Sequence, residues 1–260
     1  MHYFKKYLQV APLSHALWRS LEAQSLKKLV KKGLVKPLLD LGCGFGEFAG
    51  VYFDSTVEFG LDISSNDLVL ASKGKKFKKL ILADARKMPF PDTSFETVVS
   101  ISVLEHIKKV DLVFNEVFRV LKNGGEFIFS VPTNEINQKL LGARILKSIG
   151  LEKVAKYYLK VFHRSFSHQN VFSTDKWLRI TRNSGFKIQN VSSTISSKEL
   201  AIFELFLLFA LQTQITKKLF GKRLLFSPRL RVAVLSKLFS SMIPNQVREN
   251  INIMVKAQKK

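Results

Sequence analysis

The chain has 260 residues, of which 46 % are hydrophobic, with 42 Lys and Arg against 20 Asp and Glu and a formal net charge of +22. This apolar content excludes a globally disordered chain, and the length fits one large α/β domain or a core domain with appended helices. Cys43 is the only cysteine, which excludes an intrachain disulfide and makes a reducing compartment the simpler expectation.

The positive charge is distributed unevenly along the chain. Residues 37–135 carry a net charge of −3, whereas residues 1–36, 136–192 and 193–260 carry +7, +9 and +9. This asymmetry predicts an anionic partner outside the mildly acidic core, such as phospholipid, nucleic acid or a phosphorylated substrate. A generally basic proteome or an effect on solubility is the alternative explanation.

Neither a secretory signal nor a membrane span is expected. The first ten residues lack the apolar run and cleavage site of a signal peptide. The most apolar stretch, Leu200–Leu211, has about twelve residues, whereas a spanning helix needs about twenty. We therefore expect a cytoplasmic location, with peripheral attachment to the inner face of the membrane as a further hypothesis.

The first predicted element is a helix. Leucines recur near a 3.6-residue period over residues 3–32, and Gly33 supplies a stop. We expect residues 1–36 to form an N-terminal helical cap on a domain that comprises residues 37–260.

A regular alternation of strands and helices follows Pro37. The predicted strands are Leu38–Leu41, Val57–Leu61, Leu80–Ala83, Thr97–Ile101 and Glu126–Val131. The predicted helices are Phe45–Tyr52, Asn66–Lys73 and Val110–Leu121, the last ended by Asn123-Gly124-Gly125. Apolar strands that alternate with helices indicate an α/β fold with a doubly wound, mostly parallel sheet. Ligands of such sheets lie beyond the carboxyl ends of the strands.

The pattern becomes less regular after Pro132. It predicts a basic helical insertion at about residues 136–170 and a second insertion at 196–243. Smaller signals in this part are a helix at Thr174–Asn183, a strand at Phe186–Val191, a capping box formed by Ser196 and Glu199, a helix start at Ser227-Pro228 and a final strand at Asn250–Val255.

The strongest chemical signal is the string LLDLGCGFGEFA, residues 38–49. A strand carrying Asp40 is followed by three glycines and the start of a helix. Glycines let the backbone turn tightly and approach a ligand closely, and the helix start presents free N–H groups. The spacing is G-x-G-x-G, with Glu47 where a dinucleotide-binding loop needs Gly or Ala, which disfavours a nicotinamide cofactor.

Two further acids end the next two predicted strands. Asp62 follows Asp40 by 22 residues, and Asp84 follows Asp62 by another 22. Asp62 can accept both hydroxyls of a ribose, while Asp84 and the N–H of Ala85 can bind an adenine edge. Either acid by itself is explained as an ordinary acid that caps a loop. Three acids at the ends of three successive strands favour an adenosine site.

Residues 38–131 resemble the core of the class I S-adenosylmethionine-dependent methyltransferases. Within these, the chain is most similar to the small-molecule branch that includes the quinone-biosynthesis C-methyltransferases. The strings that carry the resemblance are LDLGCGFGEF, GLDIS, ADARKMPFPDTSFETVVS, SVLEHI and EVFRVLKNGGEFIFSVP. The resemblance implies a Rossmann-like seven-stranded sheet whose last strand is antiparallel, and S-adenosyl-L-methionine as cofactor.

The resemblance also implies roles for residues at the matching positions. The implied cofactor contacts are Asp40, Gly42 and Gly44 at the methionine end with Gly46 closing the loop, Asp62 and Ile63 at the ribose and adenine, Asp84 and Ala85 at the adenine edge, and Ser100, Ser102 and Val103 on the floor near the sulfonium. His106, in the string LEHI, lies beside that floor as a general base or as an architectural residue. The chain has no Cys/His cluster with metal-ligand spacing.

The resemblance places the acceptor with residues 1–36 and 132–170. There, Arg164 and His168 are candidate acceptor contacts; alternatively, their segment is a polar loop that caps the helix at Thr174. The insertion at 196–243 pairs apolar residues with Lys and Arg, which suits a membrane interface, a pocket cap or a dimer interface equally. The predicted function is methyl transfer to a small, hydrophobic or lipid-linked acceptor. The alternative is an RNA-modifying methyltransferase whose basic flanks bind phosphates.

Overall fold

The computed structural model describes residues 2–31, 33–207 and 249–260. Within them lies a seven-stranded sheet in the order β3-β2-β1-β4-β5-β7-β6. The strands are β1 (Leu38–Leu41), β2 (Val57–Asp62), β3 (Phe77–Leu82), β4 (Phe95–Ile101), β5 (Leu121–Pro132), β6 (Phe186–Ser193) and β7 (Asn252–Lys259). Strands β1 to β5 are parallel, and β7 runs antiparallel between β5 and β6. The predicted fold class, including the antiparallel last strand, is confirmed.

Helices cover both faces of this sheet. They are α1 (His2–Val10), α2 (Leu13–Leu29), α3 (Glu47–Tyr52), α4 (Ser65–Lys73), α5 (Val110–Val120), α6 (Ile136–Lys139), α7 (Leu141–Ser148), α8 (Glu152–Ser165) and α9 (Thr174–Asn183), and residues 197–207 are also helical. One apolar core lies between the sheet and α1 to α3, and the other lies between the sheet and α5 with α9. Because the strand order reverses between β1 and β4, the connections that leave these two strands diverge and open a crevice at their carboxyl ends.

The N-terminal region differs from its prediction. Residues 3–32 form two helices rather than one, because Pro12 has no N–H to donate and disfavours a helical conformation at Ala11. Both helices pack against the same core as the sheet. The leucine pattern alone does not show this break.

The end of α5 also differs from its prediction. Asn123-Gly124-Gly125 does not end the helix, which finishes at Val120, and these residues lie within β5. Leu121 already has an extended backbone and pairs with Phe95 of β4. The pairing of β5 with β4 is irregular between Phe95 and Thr97, so the glycines lie in a bulged part of β5 and do not end α5.

The segment after β5 is helical in large part and forms three helices, α6 to α8. The predicted capping box is present, because the N–H of Ser196 donates to Oε2 of Glu199 at 2.8 Å and the N–H of Glu199 approaches Oγ of Ser196 at 3.4 Å. The helix start predicted at Ser227-Pro228 and most of the insertion at 196–243 lie outside the described residues. None of the described helices is both long and apolar enough to cross a membrane.

Candidate cofactor and acceptor site

The glycine loop between β1 and α3 is held against β2. The N–H groups of Gly42 and Cys43 both donate to the carbonyl oxygen of Leu61, at 2.8 and 3.0 Å. Gly42 has a φ of +74°, and a Cβ at this position would lie 2.3 Å from Cγ1 of Val103. Position 42 therefore requires glycine both for its backbone conformation and for its close approach to the chain that follows β4.

Asp62, the last residue of β2, organises the same loop. Its Oδ2 accepts a 2.8 Å hydrogen bond from the N–H of Gly44, and its Oδ1 accepts a 2.9 Å bond from the N–H of Ser64. A carboxylate has about four lone-pair sites, so each oxygen keeps one for a ligand. The carboxylate is fixed in place and still has acceptor capacity toward the crevice.

The crevice at the carboxyl ends of the strands has a volume of about 490 Å³. Of the residues predicted to bind the cofactor or act in catalysis, the structure places the following in its wall: Gly42, Asp62, Ile63, Asp84, Ala85, Ser102, Val103 and His106. Ile63 is 69 % exposed, an unusual state for a large aliphatic side chain in a concave site. A planar apolar ligand in the crevice would cover it.

Asp84 has a partner that the sequence patterns did not predict. Nε of Arg86 lies 3.0 Å from both carboxylate oxygens of Asp84, and one terminal nitrogen lies 2.6 Å from Oδ2. The hydrogen bonds from the Arg86 guanidinium lower the pKa of Asp84, which keeps the carboxylate ionised at the crevice wall. Arg86 lines the same crevice and belongs to the candidate site.

Four predicted cofactor contacts lie outside the crevice wall: Asp40 and Gly44 line a smaller cavity beneath the glycine loop, and Ser100 and Gly46 line neither cavity. Ser100 is fully buried in β4, where its hydroxyl donates to the carbonyl of Leu41 at 3.1 Å and ties β4 to β1. Gly46 is the N-cap residue of α3, and its α-carbon faces the side chains of Phe77 and Ala71. Both positions support the loop from behind instead of lining the cavity, because the side-chain direction alternates along a strand and the loop curves back into the core.

Asp40 lies beneath the glycine loop. It is buried and lines a small cavity of about 80 Å³ together with Gly42, Gly44 and Arg19. Burial raises the pKa of Asp40 to about 7, with an opposing effect of Arg19. Its Oδ2 has no hydrogen-bond partner among the described residues. A buried acceptor of this kind calls for a donor from a ligand.

A second, mostly apolar pocket of about 130 Å³ opens beside the crevice. Its apolar wall is formed by Trp18, Pro132, Ile136, Phe162, Phe166 and Phe203, and its polar groups are His15, Arg19, Ser102, Glu105, His106 and His168. Ser102 and His106 line both this aromatic pocket and the crevice. The two cavities therefore meet at these two side chains.

A buried polar network supports the place where the crevice and the aromatic pocket meet. Glu22 of α2 is fully buried and accepts hydrogen bonds from the hydroxyls of Ser102 at 2.6 Å and Ser130 at 2.7 Å. Arg19, one turn earlier, lies 3.2 Å from Glu22 and donates to the carbonyl of Ile101 at 2.8 Å. Helix α2 thus fixes the end of β4. No sequence pattern singles out these two residues, since their partners in and next to β4 and β5 are about eighty positions away or more.

Glu105 is a second buried acid that the sequence patterns passed over, although it stands next to His106 in the string LEHI. Its side chain lines the aromatic pocket, and Oε2 has no partner among the described residues. Burial raises the pKa of Glu105 to about 8. The carboxyl group is therefore mainly protonated near neutral pH and can donate a hydrogen bond into the pocket.

The C-terminal end of α8 brings two histidines together. Ser167 has a φ of +53°, and the N–H groups of Ser167 and His168 donate to the carbonyls of Arg164 and His163, at 3.0 Å each. This is the Schellman arrangement, which places the residue after the left-handed position over the helix turn that contains His163. The Nδ1 atoms of His163 and His168 are 3.0 Å apart as a result. Arg164 does not line the pocket, whereas His168 does.

Hydrogen bonds determine the tautomers of these imidazoles. Nε2 of His163 lies 2.6 Å from Oδ1 of Asn137, and an amide oxygen only accepts, so this nitrogen carries the proton. Nδ1 of neutral His163 is then an acceptor, and His168 donates to it from Nδ1. Nε2 of His168 is left with a free lone pair. Burial and the neighbouring His106 and His163 lower the pKa of His168 to about 4, so it is neutral at physiological pH.

His106 is oriented by the same helix end. Its Nδ1 lies 3.3 Å from the carbonyl oxygen of Ser167, which can only accept, so neutral His106 carries its proton on Nδ1. Burial lowers the pKa of His106. The lone pair on Nε2 belongs to a neutral side chain that lines both cavities.

Comparison with known proteins agrees with this geometry. Residues 39–129 match the methyltransferase domain family. A solved S-adenosylmethionine-dependent methyltransferase from Thermotoga maritima, named as a possible histamine N-methyltransferase, has the same fold with a TM-score of 0.62, 17 % identity and coverage of 95 % of this chain and 92 % of its own. The chain therefore contains a match to a methyltransferase domain and has the fold of the S-adenosylmethionine-dependent methyltransferases.

Two curated relatives illustrate how far this similarity extends. A demethylmenaquinone methyltransferase of Geobacillus is 27 % identical over 206 residues, which cover 71 % of this chain and 83 % of the relative. An uncharacterized protein of Methanocaldococcus jannaschii is 30 % identical over 154 residues, which cover 59 % of this chain and 60 % of that protein. The chain spans less than two thirds of the length of this and other curated relatives that it matches.

The methyl donor of this family is S-adenosylmethionine, and the crevice fits it. The free lone pairs of Asp62 suit the two hydroxyls of a ribose, and the exposed Ile63 suits an adenine face. Asp84 and Ala85 line the same crevice, so they remain the predicted contacts of the adenine edge. The unpartnered oxygen of Asp40, beside the small cavity under the loop, suits the ammonium group of the methionine part. These matches follow from the donors and acceptors of the chain itself.

Proposed function

We propose that the protein transfers a methyl group from S-adenosylmethionine to a small, hydrophobic acceptor bound in the aromatic pocket. The observation that carries this proposal is the meeting of the crevice and the aromatic pocket at Ser102 and His106. Methyl transfer requires donor and acceptor in line and in contact, and two cavities that share a wall of two residues allow this arrangement.

The pocket indicates the size of the reacting group. Its volume of about 130 Å³ is close to the roughly 150 Å³ of an engineered protein cavity that holds one benzene molecule. The part of the acceptor that receives the methyl group would then be about the size of one six-membered ring. A longer apolar tail, as in a lipid-linked acceptor, would leave through the pocket mouth. The names of the demethylmenaquinone and fatty-acid methyltransferases to which the chain is similar support a hydrophobic acceptor.

Methyl transfer requires little of the protein beyond the positioning of the methyl donor and the acceptor. S-adenosylmethionine supplies an already activated methyl group, so the chain has to orient the acceptor, exclude water and receive any proton that is released. Trp18, Phe162 and Phe203 form the apolar walls that exclude water. In this proposal, His106 receives the proton on Nε2, which its hydrogen bond to Ser167 leaves free.

Two measurements test the proposal in sequence. Calorimetry should show that the protein binds S-adenosylmethionine, and a failure to bind would end the methyltransferase assignment. Cofactor labelled in the methyl group is then incubated with the protein and a fractionated cell extract. We expect the label in an organic-soluble small molecule. Label in RNA would contradict this proposal and favour the RNA-modifying methyltransferase that the basic flanks also predict.

A pair of variants locates the acceptor. Phe166→Ala enlarges the aromatic pocket and should raise the KM for the identified acceptor about tenfold or more, with the affinity for S-adenosylmethionine unchanged. Leu70→Ala removes a large apolar side chain of α4 that is 50 % exposed and lines neither the crevice nor the aromatic pocket, and it is the control. Equal effects of the two substitutions on the acceptor would contradict this location.

A further inference from the structure

Helices α7 and α8 carry an apolar face that points to solvent. Seven of the seventeen large apolar side chains that are exposed in the described residues lie within residues 141–161, and their exposed fractions are between 39 and 68 %. They are Leu141, Ile145, Ile149, Leu151, Val154, Tyr157 and Val161. Scattered apolar side chains are normal on a surface, but a contiguous group marks a contact with a partner or a membrane.

The spacing arranges these side chains in two rows. Leu141, Ile145 and Ile149 recur every four residues along α7, and Val154, Tyr157 and Val161 recur every three or four residues along α8. Each row therefore occupies one side of its helix. The helices meet at Gly142, where an added Cβ would lie 3.0 Å from Cζ of Tyr158. Both rows lie next to this seam and form one continuous strip.

Basic residues flank the strip. Residues 141–165 contain six Lys and Arg and one acid, Glu152. Arg144 and Lys147 lie on the side of α7 away from the seam, and Lys153, Lys156 and Lys160 lie on the outer side of α8, as the helical period requires. The surface, which we call the α7–α8 face, is thus an apolar strip between two basic edges.

The α7–α8 face is held rigidly by the fold. Glu204, from the helix at residues 197–207, accepts hydrogen bonds from the N–H groups of Leu141 and Gly142 at the start of α7. The same carboxylate accepts a 2.6 Å bond from the hydroxyl of Tyr158 on α8. An acid that caps a helix N-terminus and bonds to the neighbouring helix stabilises their relative position.

We propose that the α7–α8 face docks on the surface of an anionic lipid bilayer. Apolar side chains in such a contact enter the acyl boundary, while Lys and Arg extend to meet anionic headgroups. A second copy of the chain fits less well, because a symmetric pairing would bring the basic edges of the two copies together. Charge complementarity therefore selects the bilayer.

Docking in this way would place α8 between the membrane and the aromatic pocket. Phe162 on one side of α8 lines the pocket, and Val161 next to it belongs to the exposed strip. The proposal concerns only the surface and does not depend on the methyltransferase activity.

Vesicle co-sedimentation of the full chain tests the proposal. We expect binding to phosphatidylcholine vesicles that contain about a third of phosphatidylglycerol, and weaker binding at high salt. The triple variant Ile145→Ser/Val154→Ser/Tyr157→Ser should lower the partition coefficient about tenfold or more. Its matched control is Val69→Ser/Leu70→Ser/Leu112→Ser, which removes exposed apolar side chains from α4 and α5 and should leave binding unchanged.

The basic edges are tested separately. Lys153→Gln/Lys156→Gln/Lys160→Gln should weaken binding to anionic vesicles about ten- to hundredfold, whereas Lys73→Gln/Lys75→Gln/Lys187→Gln should have little effect. Circular dichroism and melting curves verify that each variant folds.

Three outcomes would overturn the proposal. The first is a wild-type chain that does not sediment with anionic vesicles at low salt. The second is binding that persists in both α7–α8 variants, which would assign it to another segment, such as the basic and apolar residues 208–248. The third is a wild-type dimer in light scattering that the apolar variant dissociates without any vesicle binding.

Discussion

The Nδ1 atoms of His163 and His168 lie 3.0 Å apart. The series of hydrogen bonds from Asn137 through His163 to His168 determines which ring nitrogens of the two histidines carry a proton. His168 should therefore be an Nδ1–H tautomer, with Nε2 unprotonated at neutral pH. Two-dimensional long-range ¹H–¹⁵N spectra of the imidazoles report this directly. In His163→Phe, the acceptor for Nδ1–H is lost, and we expect the proton of His168 to move to Nε2.

His15→Phe is the control for that measurement, because it replaces another histidine of the aromatic pocket that makes no bond to His168. An unprotonated Nδ1 on His168 in the wild type, or an unchanged tautomer in His163→Phe, would show that the helix end does not set the protonation of the pocket.

Gly42→Ala should destabilise the fold and abolish cofactor binding. The added methyl group would lie 2.3 Å from Cγ1 of Val103, and the φ of +74° is unfavourable for alanine. We expect a loss of about 2–4 kcal/mol in the free energy of unfolding, measured with urea. Gly50→Ala is the comparison: it lies within α3 with open space around it and should be stabilising by about 0.5–1 kcal/mol. Similar losses at both positions would mean that the loop does not need a glycine at 42.

Asp62→Asn should weaken the binding of S-adenosylmethionine about ten- to a hundredfold in calorimetry. The amide has a single acceptor oxygen, so one of the N–H groups of Gly44 and Ser64 loses its partner and the lone pairs for the ribose decrease. Asp54→Asn removes an exposed carboxylate outside the crevice and should leave the affinity unchanged. An unaffected Kd in Asp62→Asn would remove this residue from the cofactor site.

Glu105 should make the protein less stable as the pH rises. Burial raises its pKa from 4.5 to about 8 in the folded state. Between these values the unfolded chain releases the proton while the folded chain retains it, so stability that is present below pH 4.5 is lost as the pH rises through 8. The free energy of unfolding is measured with urea at pH 5 and at pH 8.5. Its decrease between these two pH values should be smaller in Glu105→Gln than in the wild type by roughly 2–4 kcal/mol.

The comparison isolates Glu105 because Asp40, whose pKa burial raises to about 7, contributes the same slope in both proteins. Glu152→Gln, at an exposed position, should keep the wild-type slope. A slope in Glu105→Gln equal to that of the wild type would place the pH dependence elsewhere.

The glycine loop and the acids near the strand ends were predictable from the sequence because each depends on local geometry. In a βαβ unit, the loop at Gly42 follows the first strand, and a carboxylate such as Asp62 ends the next strand at a characteristic spacing. The parallel sheet then brings the ends of the two strands together. The prediction that residues 3–32 form one helix was wrong because a leucine period continues across Pro12, where the backbone cannot. The prediction for Ser100 shows a second limit of sequence-based assignment. Ser100 is close in sequence to residues that line the crevice, but its side chain points into the sheet and bonds to Leu41.

By itself, the sequence determined the sheet, the loop and the cofactor chemistry, since these follow from periodicity and from residues close along the chain. Only the tertiary structure shows the aromatic pocket in which we propose that the acceptor binds. The junction of the two cavities depends on Glu22 reaching Ser102 across eighty positions, and the tautomer of His168 depends on Asn137 in α6. Such contacts carry no periodic signal, because they arise when helices that are distant in the chain pack against the same strand ends.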